Sequence, residues 1–303
     1  MDIFIKLIKN RNFILISALI IAFILPDAAK YTKDYTVYIL ALVMTFSTSG
    51  IKIKMLADYR SVLRISSQSV LLNYVIHGII LLVPAYFIFD EVVFNGFVVI
   101  AATPPGVAVI PFTYIFKGDL DYSFKGILGS YLISIFLSPL IIILFTGSIA
   151  LNPMIIIFVI IKIIIVPMIL SRFLLIKKIR PITEKIRGKI VDWGFALIIY
   201  TAVAINRNII LTEINLVFLS SVILFSAIIL SGIVHYLLVK NKQISPINIS
   251  KNLMLTVKSS GFAITVALIL FESKAAVPAA VMSILVLVWL IILNFMYSVQ
   301  QEK

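Results

Sequence analysis

The chain has 303 residues, 62% of them hydrophobic, with a mean hydropathy of +1.15 and a formal net charge of +13. Soluble domains are closer to half apolar, so this composition excludes a soluble domain and describes a polytopic membrane protein. The lack of cysteine excludes a disulfide framework, a thiolate metal site and a cysteine nucleophile, and in such a chain the basic excess marks inside loops rather than a nucleic-acid surface.

Ten apolar segments follow one another at 13–29, 36–54, 65–89, 93–116, 122–147, 152–175, 190–206, 215–239, 252–271 and 275–297. Each is near or above the roughly 17–25 residues that cross a bilayer. The first runs on to Leu25 and meets Pro26-Asp27 without a small-residue cleavage site, so no removable signal is expected. If the N-terminus is inside, only Lys30, Lys33, Arg207 and Lys274 of the 26 Lys and Arg fall outside, and Lys162 and Lys258 lie within spans. This asymmetry predicts a multi-pass plasma-membrane protein with both termini cytoplasmic. The basic stretch 172–189 then reads as an inside linker, with anionic lipid as the other reading.

Segment three carries Asn73 and His77; a membrane histidine is either packed and hydrogen-bonded or part of a proton relay. Segment four is interrupted by Thr103-Pro104-Pro105-Gly106, because two prolines cannot continue a regular helix. Segment six holds Lys162, which either faces the interior or snorkels to the headgroups. Segment nine is interrupted by Lys258-Ser259-Ser260-Gly261. A lysine at this depth costs at least about 2.5–3.5 kcal/mol, and broken backbone is tolerated there only when buried in protein or lining a cavity.

The two interruptions correspond. Gly106-Val107-Ala108 through Phe116 matches Gly261-Phe262-Ala263 through Phe271 at a constant offset, with Gly, Ala and Phe identical. Five segments per half give equivalent segments opposite orientations, the inverted-repeat plan of many secondary transporters. The predicted fold is therefore all-α and polytopic, one transmembrane domain over 1–303 with repeats 1–148 and 149–303. Helices four and nine are broken and cross. Half-helices starting near Gly106 and Gly261 present free N–H groups, a natural anion site, with Lys258 beside them. A small organic anion would balance this charge; alternatively Lys258 is neutral without ligand and is a candidate proton carrier, or it only ties the freed carbonyls of the breaks together. Ser259 and Ser260 are candidates either to cap the second half-helix or to touch the ligand, and with Thr103, Pro104, Pro105, Gly106, Gly261, Thr113, Asn73, His77 and Lys258 they make the expected substrate and coupling site. No metalloprotease motif, nucleophile elbow or P-loop is present, so neither an enzyme nor a metal or organic cofactor is expected.

Three blocks resemble the bile acid:sodium symporter family of ten-span organic-anion carriers. Met44-Thr45-Phe46 to Gly50-Ile51, followed by Asp58-Tyr59-Arg60, is similar to the end of the family's second span and the loop after it. Thr103-Pro104-Pro105-Gly106 through Thr113-Tyr114-Ile115-Phe116-Lys117-Gly118-Asp119 resembles its Pro-Gly-Gly break and TYLAKGD run. Ser260-Gly261-Phe262-Ala263 through Phe271 and Val277-Pro278-Ala279-Ala280 resembles its NSGLA break and LPAA run. The resemblance implies a panel of spans one, two, six and seven, a core of the other six, substrate between them, and alternating access. It also implies two sodium sites, and here their residues are replaced. The Ser-Asn pair after the first break falls at Val109 and Ile110. The Ser and Thr of span five fall at Ser123 and Ile127, the shared Glu at Met254, the Gln four residues later at Lys258, and a span-three Gln at Asn73. Valine, isoleucine and methionine offer sodium no side-chain oxygen and lysine repels it, so the Lys258 ammonium is expected to stand in for the ion. An auxin-efflux-type carrier and a transport-inactive scaffold are the other readings; a cation/proton antiporter lacks its mid-membrane carboxylates.

Overall fold

The computed structural model describes residues 11–49, 58–106, 108–147, 154, 158, 161–240 and 245–301. Among these the regular backbone is helical and no strand occurs, as lipid demands of a chain that must satisfy its backbone groups internally. Helix α1 (Arg11–Ile24) stops before Pro26, which has no N–H to continue it. Three short turns then lead into α2 (Thr36–Thr48). The segments expected at 13–29 and 36–54 are here the two arms of a pair bent by 100°.

Helix α3 (Tyr59–Ile88) widens to a π-helical turn at Leu71–Ile76. Helix α4 (Glu91–Ala102) is followed by the first break and α5 (Val109–Ile115). Next come α6 (Leu120–Thr146), α7 (Val166–Phe173), α8 (Arg180–Ile205) and the short α9 (Arg207–Thr212). Helix α10 (Ile214–Val239) also carries a π turn, at Ser226–Leu230. Then α11 (Pro246–Thr256), the second break, α12 (Ser260–Leu270), a 3-10 turn Ser273–Ala276 and α13 (Val277–Gln301) complete the chain. Asp58, Asp90 and Asp119 each accept a backbone N–H at the starts of α3, α4 and α6, which fixes where these helices begin.

Among the described residues α3, α6, α8, α10 and the helix from Ser273 are each long and apolar enough to cross a membrane, and the bent pair makes a sixth if counted as one. Helices α4 and α12 are apolar but short. The boundary expected between the repeats at 148–149, Gly50-Ile51, Val107 and the extreme ends of the chain lie outside the described residues.

Packing divides the helices. Helix α8 lies against α1 and α2, and α7 against α2; α6 packs on α3 and α4, and α13 on α10 and α12. Helix α12 also touches α8 and α2, so the two groups meet at the second break. Lipid is as apolar as leucine, so close backbone approach does much of the work here. A Cβ on Gly194 of α8 would stand 2.2 Å from Val43 of α2, and one on Gly232 of α10 would stand 2.1 Å from Trp289 of α13. At one end of α1, Arg207 and Tyr200 donate to the freed carbonyls of Phe23 and Leu25, at 2.9 and 2.6 Å.

Candidate functional site

The two breaks lie side by side. Thr103, preceding proline, is extended (φ −79°, ψ 146°), as the ring of the next residue requires. The second break has no proline; Val257 (φ −100°, ψ 97°) and Ser259 (φ −80°, ψ 87°) leave the helix because they pair with the first. Gly106 donates its N–H to Val257 O at 2.9 Å, Ser259 donates to Pro104 O at 3.2 Å, and Pro105 and Lys258 form an antiparallel bridge. A Cβ on Gly106 would meet the Lys258 carbonyl oxygen at 3.0 Å, so glycine permits this approach.

Four helix ends meet at this pairing. The carbonyl end of α4 is closed by Lys258, whose Nζ donates to Ala101 O at 2.9 Å and Thr103 O at 2.8 Å. Its third donor goes to Asn73 Oδ1 at 3.0 Å. A lysine ammonium has three donors, and all three are engaged. The head is also 4.9 Å from the centre of the Tyr74 ring, and the residue is 2% exposed. The carbonyl end of α11 is closed from the π turn of α3 and the residue after it. Asn73 Nδ2 donates to Met254 O at 3.1 Å, and His77 Nδ1 lies 2.9 Å from Leu255 O. A carbonyl only accepts, so Nδ1 of His77 carries the proton in this contact. The wide turn at Leu71–Ile76 sets these two side chains toward the breaks.

The remaining two ends are amide ends, of α5 and α12. Ser259 stands at the N-cap of α12 but its side chain does not cap it, unlike the expectation from sequence, and no side chain caps α5. Between them and α8 lies a cavity of about 40 Å³. Gly106, Val257, Lys258, Ser259, Ser260 and Ser283 line it, with Leu15, Phe195, Ile199 and Leu290 adding apolar surface. The structure therefore turns the Lys258 head to the carbonyl end of α4, while the amide ends of α5 and α12 lie on the side of the cavity.

The positions at which the resemblance leads one to expect the family's first sodium site are closed. Val109, Ile127 and Met254 are all 0% exposed and belong to one apolar cluster. Ser123 is buried and paired with Thr113 at 2.8 Å, and Thr113 also donates to Val109 O at 2.7 Å. Ile110 packs partly buried against the same cluster. Met254 accepts a weak bond from Ser69, itself 2.7 Å from Ser130. No group of three or more His, Cys, Asp or Glu able to hold a metal ion occurs among the described residues. Lys162 is exposed. Tyr74, Phe195 and the Ala101 carbonyl escaped sequence reasoning; only Tyr74, next to Asn73, carried any signal.

A highly apolar chain, helical among the described residues, with two interrupted helices joined around a buried lysine, has the make-up of a multi-pass membrane protein. The family model described as the Sodium Bile acid symporter family matches residues 37–213, more than half the chain. The protein belongs to that family, and with it to the membrane transporters of organic anions. No curated protein matches the chain.

Proposed function

We propose that the protein carries a small organic anion across the plasma membrane by alternating access, without sodium at the family positions, and that the Lys258 ammonium takes the ion's place. The observation that carries this is the cage of three oxygens, Asn73 Oδ1, Ala101 O and Thr103 O, at 2.8–3.0 Å from Nζ. Carbonyl and amide oxygens converging on one point are what a hard cation requires, and here the cation is covalently attached. In this reading the chain has ten spans in two inverted repeats with both termini inside. The group α1, α2, α7 and α8 is the panel and the remainder the core.

In the closed state the cavity of about 40 Å³ holds little more than one water; as panel and core part, the substrate's anionic head takes the amide end of α12 near Ser259, Ser260 and Ser283, and its apolar body lies against Leu15, Phe195 and Leu290. Three hydrogen bonds stabilise the charged form, and their acceptors, two carbonyls and a carboxamide, are not bases that take up a proton, which favours a fixed cation over a proton carrier. Facilitated diffusion or exchange follows, with protons as the alternative coupling ion. The family match favours this plan over an auxin-efflux-type carrier. Broken helices, which cost stability, speak against a scaffold. Uptake of carboxylates into proteoliposomes tests the reading: it is expected to proceed without a sodium gradient and to be lost in Lys258→Met. Sodium-dependent uptake that survives that substitution overturns it.

A further inference from the structure

The basic stretch 172–189 takes no part in the crossover. It joins α7 to α8 and carries seven Lys and Arg against one acid, Glu184. Arg172 holds its start: Nη2 donates to Thr48 O at 2.7 Å, at the carbonyl end of α2. Arg180 pairs with Glu184 at 2.8 Å. Lys177, Lys178, Lys185, Arg187 and Lys189 make no ion pair among the described residues, and all but the half-buried Arg187 are exposed. Apolar side chains are interleaved with these charges. Ile176, Ile179 and Ile182 are exposed, as are Leu170 and Phe173 near the end of α7 and Trp193 further along α8. A linker that meets only water gains nothing from exposed isoleucines between its lysines, whereas the boundary of a bilayer accommodates both. On α8 the positions 182, 185, 189 and 193 follow at helical spacing, so Ile182, Lys185, Lys189 and Trp193 form one exposed stripe.

Helix α8 also outruns the hydrocarbon. Its 26 residues make about 39 Å at about 1.5 Å each, against about 30 Å for the hydrocarbon core. The far end is apolar from Gly194 to Ile205, so the excess lies at the charged start. Counted back from Ile205, about 20 residues span the hydrocarbon. That sets Lys185, Arg187 and Lys189 at the boundary with the headgroups and Trp193 on the acyl-chain side of it. We propose that this stripe of α8 and the turn before it dock an anionic phospholipid, with the headgroup phosphate on Lys185 and Lys189 and an acyl chain against Trp193. Lys177 and Lys178 add to the positive field. Charge complementarity selects the occupant: a zwitterionic lipid brings its own ammonium against these lysines, and an anionic one does not. The bound lipid pins the turn between α7 and α8 at the headgroup level.

The test uses the full chain in proteoliposomes and does not depend on transport. The chain has two tryptophans, and Trp289 is fully buried, so Trp193 reports contact with lipid. Its fluorescence is quenched by phosphatidylglycerol or phosphatidylcholine carrying brominated chains, each at the same fraction of the bilayer. Both leaflets hold the same lipid, so the readout does not depend on which end of α8 lies inside. Stronger quenching by the phosphatidylglycerol is expected. The preference is expected to fall at least about threefold in the double variant Lys185→Gln, Lys189→Gln and to fade in about 1 M salt, where screening acts within about 3 Å. Both lysines are exposed, so the variant keeps the fold, and Arg64→Gln, an exposed cation on α3, leaves the preference unchanged. Equal quenching by the two lipids in the wild type overturns the proposal, as does a preference that the double variant retains. Loss of the preference in inorganic phosphate, but not in chloride at matched ionic strength, assigns the lysines to a soluble anion and overturns it too.

Discussion

Replacing Lys258 by alanine empties the oxygen cage without moving its walls. Three buried acceptors, Ala101 O, Thr103 O and Asn73 Oδ1, lose their donor. An unsatisfied buried polar group costs about 1–3 kcal/mol, so the loss is about 3–9 kcal/mol. Removing a buried ammonium returns several kcal/mol of desolvation cost, which leaves a net destabilisation of a few kcal/mol. The vacated cage then has the chemistry of an ion site. For a dissociation constant of about 10 mM, about 100 mM sodium restores about 1.4 kcal/mol, a rise of about 3 °C in the unfolding midpoint. Thermal unfolding in sodium chloride against choline chloride at equal ionic strength measures it. The wild type is expected to be indifferent to the exchange and Lys258→Ala to be stabilised by sodium. A wild type stabilised by sodium as strongly as the variant refutes the idea that the lysine fills the cage. A folded variant indifferent to sodium refutes the cage itself.

Asn73→Ala leaves the Met254 carbonyl and one ammonium proton unpaired, and is expected to cost about 1–3 kcal/mol for each in denaturant unfolding. Gly261→Ala sets a Cβ 2.7 Å from Cε1 of Phe195, across the contact between α12 and α8. It is expected to slow uptake more than it lowers the melting temperature, read from uptake rate and unfolding midpoint of the same preparation. Asp90 accepts the Val93 N–H and pairs with Lys274; chiefly that backbone bond holds its carboxyl below the ordinary 3.8. Its contribution to stability is therefore present above about pH 3.8 and lost as pH falls through the depressed value. Asp90→Asn keeps a capping oxygen but does not titrate, so the wild type's advantage in melting temperature is expected to disappear in acid.

The breaks were legible because proline and glycine act locally: Pro104-Pro105-Gly106 forbids a helix whatever surrounds it. Lys258 was legible as an anomaly, since a cation inside an apolar run is costly. Where its head points was not, because that depends on the distance between α3 and the two breaks, which no spacing along the chain encodes. Asn73 and His77 were visible as polar residues in an apolar segment. Their role in closing the carbonyl end of α11 depends on the π turn at Leu71–Ile76, and that turn has no proline or glycine to announce it. Ser259 has the residue type of a helix cap and the position of one, yet backbone pairing with Pro104 fixes it at φ −80°, ψ 87°, and its side chain does not cap α12. The 100° bend between α1 and α2 follows from Pro26, but its size is set by packing on α8.

The central claim is that a tethered ammonium replaces the transported ion. Carboxylate uptake into proteoliposomes, under imposed sodium and proton gradients applied separately, tests it most directly. Uptake is expected to follow the substrate gradient alone and to be abolished in Lys258→Met. Accumulation driven by a sodium gradient in the wild type would contradict it.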